Sequence, residues 1–444
     1  MLKKHLPHNL PFCIIGAKGV GKTTLIRDFA CRFNNWIHLD LETEVDRAIF
    51  RFDSSGKETL MAIGFLKGKE ILGRGTLIVL DEIWKCPEAI RWISGQADMG
   101  TGLMIAATSS VLTKDIEMLT DPGSGNMRPF YLYPFSFEEF LMVLDDPAAL
   151  EALQEVPVPY YAYEKLLNYF HLYALIGGMP EVTSEYALNR HLAGLKKVYE
   201  KIEERVIHSL PDVTAGKKSR DLAMEVLHNI YPYAATRISF NRFGNLEKGS
   251  REIGQALKTL EQTLILQMIY PVTSSKLPMK LRFSKSPRLH NFDTGLVNYF
   301  SGIQKPLFQS HDMVAIFEGQ IARQVVGQEI CATAGLNEVD AVQPLNFWVR
   351  DKAQSSAAVD FVIQFEGILI PIVVRSGEAG RLRSLHQFID EAPHPFAVRL
   401  CAGKPGIQQA KTIRGKRYYL LSIPYFLAGR IREHLGGFRK FVEG

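Results

Sequence analysis

The sequence contains few cysteines and no long hydrophobic segment. Its five cysteines among 444 residues are odd in number, lie far apart and include no C-x-x-C pair. Neither a disulfide framework nor a zinc site is therefore expected. No segment approaches the roughly 18 uncharged apolar residues that a membrane-spanning helix requires. We expect a protein of the reducing cytoplasm that does not insert into a membrane.

Signatures of several enzyme and targeting classes are also missing. The apolar stretch near the N-terminus is interrupted by Pro7 and Pro11 and has no small-residue cleavage site, so no signal peptide is expected. Neither an H-x-x-x-H pair nor a G-x-S-x-G segment occurs, which leaves metalloprotease and serine hydrolase functions without support. Internal repeats and low-complexity segments are absent from the sequence as well.

The net charge is small but unevenly distributed. Hydrophobic residues make up 46% and charged residues 22% of the chain, which is typical of a globular protein. At roughly 100 to 200 residues per domain, the length predicts two to four domains. The formal net charge is +5. Residues 375–444 contain 13 Lys/Arg and 5 Asp/Glu, a net +8, so residues 1–374 carry 5 − 8 = −3.

Residues 11–24 read PFCIIGAKGVGKTT and match every fixed position of G-x-x-x-x-G-K-[ST]. Glycines let consecutive backbone N–H groups approach an anion, and the positive end of the following helix favours phosphate. Lys22 is then predicted to reach the β- and γ-phosphates, and Thr23 to offer its hydroxyl to Mg²⁺. A glycine-rich turn that binds nothing is disfavoured because the flanking strand and helix patterns also agree. The residues predicted to bind the nucleotide are Gly16, Ala17, Lys18, Gly19, Val20, Gly21, Lys22, Thr23 and Thr24.

A second buried strand is predicted at Thr76 to Leu80, directly before Asp81 and Glu82. An apolar strand that runs into carboxylates is typical of a parallel sheet with a site at its carboxyl edge. Asp81 is predicted to hold Mg²⁺ through water, and Glu82 to orient and polarise the attacking water. A second carboxylate suits a water nucleophile, so hydrolysis is favoured over kinase activity.

A third apolar strand, Leu103 to Ala107, is followed by Thr108, Ser109 and Ser110. These hydroxyls either contact the γ-phosphate or the water, or simply end a strand. Arg128, in the polar segment GSGNMRPF, is a candidate for the cation that stabilises charge in the transition state. The alternative is a solvated arginine in a loop.

The segments GAKGVGKTT, LIVLDEIW, AATSS, MRPFYLYPFSFEEFL and LIGGMPEV together resemble the prokaryotic AAA-type ATPases whose chain ends in a domain of unknown function related to restriction endonucleases. The resemblance implies that residues 16–24, Asp81 and Glu82 form the ATP site and that Ser109 is the first sensor. Arg128 falls where the family commonly has a Gly-Arg pair, with Met127 in place of the glycine. Trp84 stands where a glutamine often follows the acidic pair.

The resemblance and the hydrophobic periodicity together predict the fold class. We expect an α/β protein with a P-loop, parallel-sheet AAA-type ATPase core over residues 1–134 and a helical lid over 135–215, with a polar break at 211–218. A winged-helix-like domain is predicted over 216–300, where Arg251 and Lys258 either contact DNA or lie on a domain used only for packing.

Residues 301–444 are predicted to form an α/β domain that resembles the restriction-endonuclease fold, and four positions indicate whether its cleavage chemistry is retained. Asp360 matches the metal-binding aspartate of that fold, and Glu318 is a second candidate ligand. Val373 and Arg375 stand where the family often has glutamate and lysine. A valine offers no oxygen to a hard cation, and an arginine cannot act as a base. We therefore expect this domain to be catalytically degraded.

The basic C-terminal region interleaves cations with aromatic residues, which suits phosphate backbones and stacked bases. The alternatives are an acidic protein partner or a merely solvated face, and many of the aromatics are equally expected in the core of a nuclease-like sheet. The cations are Arg381, Arg383, Lys404, Lys411, Arg414, Lys416, Arg417, Arg430, Arg432, Arg439 and Lys440, and the aromatics are Phe388, Phe396, Tyr418, Tyr419, Tyr425, Phe426, Phe438 and Phe441.

The sequence therefore predicts an enzyme that binds ATP and Mg²⁺, hydrolyses ATP and couples nucleotide state to a DNA- or protein-binding C-terminal region. Its predicted catalytic residues are Lys22, Glu82, Ser109 and Arg128, and its predicted metal ligands are Thr23 and Asp81. Two alternatives stay open: a nucleotide-gated DNA-binding or scaffold protein with little turnover, and a Mg²⁺-dependent nuclease. If Arg128 acts across a subunit interface, the protein is a homo-oligomer.

Overall fold

The computed structural model describes residues 6–7, 10–51, 56–71, 75–96, 103–121, 123, 126–309, 319–334, 345–351, 357–375 and 382–443. The chain divides into two compact units. The first unit comprises Met1–Tyr133 and Gln262–Leu264, and the second comprises Pro134–Glu261 and Ile265–Gly444. Among the described residues, every helix is too short or too polar to cross a membrane.

The first unit is built on a parallel sheet of five strands in the order β2-β3-β4-β1-β5. Its strands are β1 (Phe12–Ile15), β2 (Asn35–Asp40), β3 (Thr76–Asp81), β4 (Met104–Ser109) and β5 (Arg128–Tyr131), and its helices are α1 (Lys22–Ala30), α2 (Glu44–Ala48), α3 (Gly56–Lys67), α4 (Pro87–Gln96) and α5 (Lys114–Leu119). β1, β3 and β4 are buried along their full length, as expected for central parallel strands covered on both faces.

The strand register brings the predicted site segments to one edge of this sheet. Ile15, the last residue of β1, pairs with Ser109 at the end of β4, and Leu80 pairs with Ala107. The glycine loop, the acidic pair and the hydroxyl residues therefore all follow strands that end at the same carboxyl edge. The helix after the loop is fixed to the sheet by packing: the rings of Phe12 and Phe29 meet edge-on with centroids 5.2 Å apart.

The second unit is mainly helical in its first half. Its helices are α6 (Phe137–Leu144), α7 (Pro147–Gln154), α8 (Tyr163–Ile176), α9 (Pro180–Asn189), α10 (Leu195–Val213), α11 (Lys217–Ile230), α12 (Ser250–Gln262), α13 (Thr294–Phe300), α14 (Gln304–Gln309), α15 (Gln320–Ala334), α16 (Arg383–Glu391) and α17 (Ile431–Glu443). The helices predicted over 135–210 are present, but the polar break predicted at 211–218 is shorter. Pro211 lies in the last turn of α10, where the Thr214 hydroxyl donates to the Leu210 carbonyl at 2.8 Å.

Strands of the second unit form three sheets. They are β6 (Leu266–Ile269) paired antiparallel with β7 (Arg288–Asn291), β8 (Trp348–Val349) paired with β9 (Ala358–Val359), and a mixed sheet of β10 (Phe361–Phe365), β11 (Ile368–Val374), β12 (Phe396–Cys401), β13 (Gly406–Lys411) and β14 (Arg417–Pro424) in the order β10-β11-β12-β14-β13. Asp360 separates β9 from β10. The described elements of residues 216–300 are α11, α12, the antiparallel pair of β6 and β7, and α13, and the winged-helix assignment stays a prediction.

The segments PFSFEEF and LIGGMPEV and the later Asp-Thr-Gly-Leu segment meet in one buried cluster of the second unit. The Asp293 carboxylate accepts the backbone N–H groups of Gly178 (2.8 Å) and Leu296 (3.0 Å). A Cβ on Gly178 would lie 2.3 Å from the Phe135 carbonyl oxygen, so only glycine allows this approach. The segments PFSFEEF and LIGGMPEV, which carried part of the family resemblance, thus contact each other, and the second of them contacts Asp293, within the second unit.

Candidate functional site

The glycine loop between β1 and α1 follows a backbone path that other residues would strain. Gly19 and Gly21 have φ values of 83° and 99°, in the left-handed region that favours glycine. A Cβ on Gly16 would lie 2.4 Å from the Leu132 carbonyl oxygen. The spacing of the glycines in the sequence is therefore a requirement of the loop geometry.

The start of α1 suits an anion. Gly21 precedes the helix and offers no side chain to cap the N–H groups of the first turn, which also contains no acidic residue. Lys22 is only 4% exposed, and its Nζ donates to the Ala17 carbonyl at 3.3 Å. Free helix N–H groups, the positive end of the helix dipole and a buried lysine over the loop together fit a phosphate group.

Asp81, at the end of β3, is held by polar neighbours. Its Oδ1 accepts a hydrogen bond from the Thr108 hydroxyl, and its Oδ2 lies 3.4 Å from Nε2 of His38. Burial raises its pKa, but hydrogen bonds from His38, Thr108 and Thr23 outweigh burial and bring the pKa below its ordinary value. An ionised carboxylate beside the Thr23 hydroxyl is a set of hard oxygen ligands, which fits Mg²⁺.

Glu82 is fixed in place by three side chains. Its Oε2 accepts hydrogen bonds from Nε1 of Trp84 (2.7 Å), from the Ser110 hydroxyl (2.6 Å) and from the Ser110 backbone N–H (2.9 Å). Its Oε1 lies 3.3 Å from Nζ of Lys22. Burial raises the pKa of Glu82, but the Lys22 charge and the bonds from Ser110 and Trp84 bring it below its ordinary value.

The backbone of Glu82 is also unusual, with φ 55° and ψ 50° in the left-handed region. Non-glycine residues adopt this conformation at a cost, and such strain clusters at functional sites. The Glu82 N–H donates to the Thr108 hydroxyl oxygen at 2.9 Å. Thr108 thus links the two acids, since it donates to Asp81 and accepts from Glu82.

Ser109 lies on the other side of β4 from these contacts. Its hydroxyl donates to the Val111 carbonyl at 2.6 Å, whereas Thr108 and Ser110 contact the acids. Side chains alternate along a strand, so only every second residue of this segment can face Asp81 and Glu82. Ser109 as the sensor stays a prediction, and Ser110 is the neighbouring residue whose hydroxyl contacts Glu82. Trp84, which stands where the family often has glutamine, donates its indole N–H to Glu82.

Arg128 lies at the end of β5 that is far from the glycine loop. It is the first residue of β5 and pairs with Phe12, whereas the loop follows Ile15. Three residues of strand separate these positions by about 10 Å. The guanidinium of Arg128 instead lies 5.3 Å from the ring centre of Phe130. Within its own chain Arg128 thus begins β5 about three residues away from the level of the glycine loop, and its role as the transition-state cation, within the chain or across a subunit interface, stays a prediction.

The predicted nuclease position is occupied by an ion pair. Oδ2 of Asp360 accepts hydrogen bonds from the Arg375 guanidinium (2.8 Å) and from the Val374 backbone N–H (2.9 Å). Glu318 and Arg381 lie outside the described residues. In the described part of the chain, no three His, Cys, Asp or Glu side chains group as a metal site. Arg375, which stands in place of the expected lysine, thus forms an ion pair with Asp360, the aspartate that matches the nuclease pattern.

Arg251 and Lys258, the predicted DNA contacts of the winged-helix-like region, are both exposed on α12. Six of the eight aromatic residues named in the basic C-terminal region are buried in the second unit. They are Phe388, Phe396, Tyr418, Tyr425, Phe426 and Phe438. The aromatic pattern of the C-terminal region therefore reflects core packing.

Two family models match parts of the chain. Residues 8–141 match a model described as an AAA domain, and residues 167–307 match one described as a domain of unknown function (DUF8612). No curated protein matches the chain. The AAA match spans the glycine loop and both acidic residues. It supports an AAA-type P-loop ATPase.

Among solved structures, the chain is similar to the Walker-type ATPase of Pyrococcus abyssi, with 15% identity, a TM-score of 0.42 and coverage of 68% of this chain and 93% of that one. It is also similar to the Aeropyrum pernix ORC1 protein in complex with DNA, with 12% identity, a TM-score of 0.31 and coverage of 69% and 90%. A third similar structure is that of C. elegans PCH-2, with 14% identity, a TM-score of 0.26 and coverage of 41% of this chain and 56% of that one. These similarities are too distant to carry the neighbours' ligands over to this chain.

Proposed function

We propose that the protein binds ATP with Mg²⁺ and hydrolyses it to ADP and phosphate. The observation that carries the proposal is the meeting of the uncapped start of α1 with Lys22, Asp81 and Glu82 at one edge of a parallel sheet. The family match to an AAA domain over residues 8–141 supports the same function. A cytoplasmic location stays a prediction.

Lys22 and the loop provide the phosphate site. The Lys22 ammonium lies 3.3 Å from the Ala17 carbonyl and 3.3 Å from Glu82. A bound triphosphate would accept hydrogen bonds from this ammonium in their place. Backbone N–H groups from the loop and from the first turn of α1 would surround the phosphate oxygens. Positioned donors of this kind lower the barrier because they are oriented before charge develops in the transition state.

Thr23 and Asp81 are the residues that would hold Mg²⁺, one through its hydroxyl and the other through its ionised carboxylate. When bound, the ion would neutralise negative charge on the phosphate oxygens. Glu82 would accept a hydrogen bond from the attacking water and orient it. Its bonds to Trp84 and Ser110 keep the carboxylate in one orientation, which a positioned base requires.

Phosphate release from ATP tests the proposal. The purified chain should release phosphate steadily with ATP and Mg²⁺, and an excess of EDTA should stop the release because Asp81 and Thr23 no longer share a cation with the nucleotide. Equilibrium binding of ATP, measured in parallel, distinguishes hydrolysis from the second candidate function, a nucleotide-gated scaffold with little turnover. Tight ATP binding without phosphate release above the blank would contradict hydrolysis and favour a nucleotide-gated scaffold.

Trp84→Phe tests the positioning of Glu82. The change removes the indole N–H at 2.7 Å but keeps an aromatic ring. Hydrogen bonds to charged groups contribute about 1.5–3 kcal/mol, so we expect kcat to fall about tenfold with KM little changed. The acid limb of the kcat profile should move to higher pH, since the Trp84 bond lowers the pKa of Glu82.

The matched control for this change is Lys85→Met. Nζ of Lys85 lies 4.5 Å from the ring centre of Trp84, so the control perturbs the same indole without removing its N–H. It should leave the pH profile in place. A Trp84→Phe protein with the wild-type kcat and acid limb would show that the indole has no part in positioning Glu82.

The coupling of nucleotide state to a partner is the finer part of the proposal. The division of the chain after Tyr133 supports an ATPase core that ends near residue 134. The lid at 135–215, the winged-helix-like region at 216–300 and the nuclease-like region at 301–444 are proposed to transmit or receive its motion. The Asp360–Arg375 pair argues against Mg²⁺-dependent cleavage, so binding of DNA or protein is the favoured role of this region.

A further inference from the structure

The solvent-facing positive charge of the C-terminal region is concentrated on one hairpin. Residues 404–417, called the basic hairpin below, read KPGIQQAKTIRGKR and comprise β13, a turn and the first residue of β14. The segment contains five Lys/Arg and no Asp or Glu. Its cations are Lys404, Lys411, Arg414, Lys416 and Arg417. Of these, Lys416 is half-buried and donates to the Ile389 and Ala392 carbonyls, and Lys404 donates to the Tyr160 hydroxyl, which leaves Lys411, Arg414 and Arg417 as the exposed cations at the turn.

Several other cations of this region are engaged within the second unit. The Arg399 guanidinium is buried and donates to the Ser422 hydroxyl at 2.7 and 3.1 Å. Arg430 lies 3.6 Å from Glu138 and also pairs with Glu433. Arg439 pairs with Glu366 at 2.9 Å. The net charge of the C-terminal region is therefore not spread evenly over its surface.

The basic hairpin lies at the open edge of its sheet. β13 is an edge strand in which Gly406 to Gln409 are all exposed. The strands join through residues 412–416, in which the Gly415 N–H donates to the Thr412 carbonyl at 2.9 Å, the Thr412 N–H donates to the Lys416 carbonyl at 2.8 Å, and Gly415 has a φ of 87°. This is a favoured hairpin turn with its left-handed glycine. It presents Ile413, 72% exposed, at the tip.

Two of the cations face each other without an acid between them. Lys411 and Arg417 are directly opposite in the register of β13 and β14, and like charges at such positions destabilise a hairpin. In the portion of the chain that the structure describes, no carboxylate forms an ion pair with either residue. Arg414, at the tip, is partly offset by Asp390 at 3.8 Å. This end of the hairpin therefore carries charge that the fold itself leaves uncompensated.

We propose that the basic hairpin binds the phosphate backbone of duplex DNA. A two-stranded ribbon fits the major groove, which is about 12 Å wide. Lys411, Arg414 and Arg417 are grouped at the tip, where a ribbon that enters a groove meets phosphates on either side. The proposal names the partner class and the surface for the coupling proposed above, and it does not depend on ATP hydrolysis.

Two other ligands fit the hairpin less well. Single-stranded nucleic acid is bound largely by stacking on aromatic side chains, and residues 404–417 contain no aromatic residue. An acidic peptide that adds to the open edge of β13 would run along Gly406 to Ala410. These five residues carry no charge, whereas the cations lie beyond them at the turn.

The proposal is tested by measuring how a fluorescein-labelled 20-base-pair duplex binds to the full chain. Fluorescence anisotropy is recorded in the absence of ATP and ADP, at NaCl concentrations between 50 and 200 mM. The test variant is Lys411→Gln/Arg417→Gln. The control, Lys196→Gln/Lys197→Gln, removes the same charge from two exposed residues of α10. Each phosphate contact contributes about 0.9 to the slope of log affinity against log salt. Loss of two contacts should lower the slope by about 1.8 and the affinity at 0.1 M salt by roughly 60-fold.

The control should bind as the wild type does. The test variant should melt at or above the wild-type temperature, because a like-charge pair is removed, so weaker binding would not reflect unfolding. A test variant with the wild-type affinity and slope would overturn the proposal. Tighter binding of the single strand than of the duplex, or binding of a poly-glutamate peptide but not of the duplex, would assign the surface to another ligand. Because no nucleotide is present, either result leaves the ATPase proposal untouched.

Discussion

Replacement of Glu82 by glutamine should slow ATP hydrolysis by about 10²-fold or more, the range for loss of a positioned base. The amide keeps the size of the side chain and an oxygen that can accept from Ser110 or Trp84. It removes the negative charge that attracts the proton of the attacking water. ATP affinity should stay close to that of the wild type, because the loop and Lys22 hold the phosphates.

The measurement is kcat from steady-state phosphate release together with the equilibrium Kd for ATP. The matched control is Glu88→Gln, which makes the same change at a partly exposed residue of α4 that pairs with Arg91 at 3.4 Å. The control should retain the wild-type kcat. An unchanged kcat in Glu82→Gln would show that another group orients the water.

Replacement of Glu329 by glutamine should stabilise the second unit at pH 8. Burial raises the pKa of the Glu329 carboxyl to about 7, because ionisation in this site removes a charge from water. Its Oε1 accepts from the Phe137 N–H (2.8 Å) and from the Tyr173 hydroxyl (2.7 Å). A glutamine oxygen can accept both bonds, so the variant keeps the contacts and loses the cost of ionisation.

The sign of the pH dependence follows from the direction of the shift. A carboxyl whose pKa is raised on folding contributes stability that is fully present below its ordinary pKa and is lost as pH rises through the folded value. The wild type should therefore lose stability between about pH 4.5 and 7. The difference between these two values corresponds to roughly 3 kcal/mol. Asp293, whose pKa burial raises to about 6, adds a loss that both proteins share.

Thermal unfolding at pH 5 and pH 8 checks this prediction. The decrease in melting temperature between the two values should be smaller in Glu329→Gln than in the wild type. Glu204→Gln, at an exposed position of α10, should retain the wild-type decrease. Equal pH dependence of wild type and Glu329→Gln would show that Glu329 is ionised in the folded protein at little cost.

Local patterns predicted much of the geometry of the proposed nucleotide site. The glycines, Lys22 and Thr23 lie close together in the sequence, and the loop conformation depends mainly on backbone freedom at Gly19 and Gly21. Asp81 could also be predicted from the sequence, because a buried strand that ends in a carboxylate is itself a local signal. The parallel sheet followed from the same apolar runs.

The sequence could not show positions that depend on strand parity, register or distant contacts. Ser109 and Ser110 look equivalent in sequence, and only the pleat of β4 shows which one faces Glu82. Arg128 was placed near phosphate by its neighbours, but pairing with Phe12 puts it at the other end of β5. The bond between Gly178 and Asp293 joins residues 115 positions apart, so the spacing of LIGGMPEV could not reveal this contact.

The C-terminal charge shows the same limit. The excess of cations was visible in the sequence, but their availability depends on partners such as Ser422 and Glu366. The sequence likewise showed Arg375 where the nuclease lysine is expected, and the chemistry of arginine predicted that cleavage activity is lost. The pair that Arg375 forms with Asp360 required the strand pairing that brings them together.

A single-turnover experiment tests the central claim most directly, because it isolates the chemical step from ADP release. Radiolabelled ATP is mixed with excess protein and Mg²⁺, and the bound nucleotide is identified over time. The account predicts that the wild type converts its bound ATP to ADP and phosphate, whereas Glu82→Gln retains bound ATP over the same interval. Conversion at equal rates, or bound ATP that stays intact on the wild type, would contradict it.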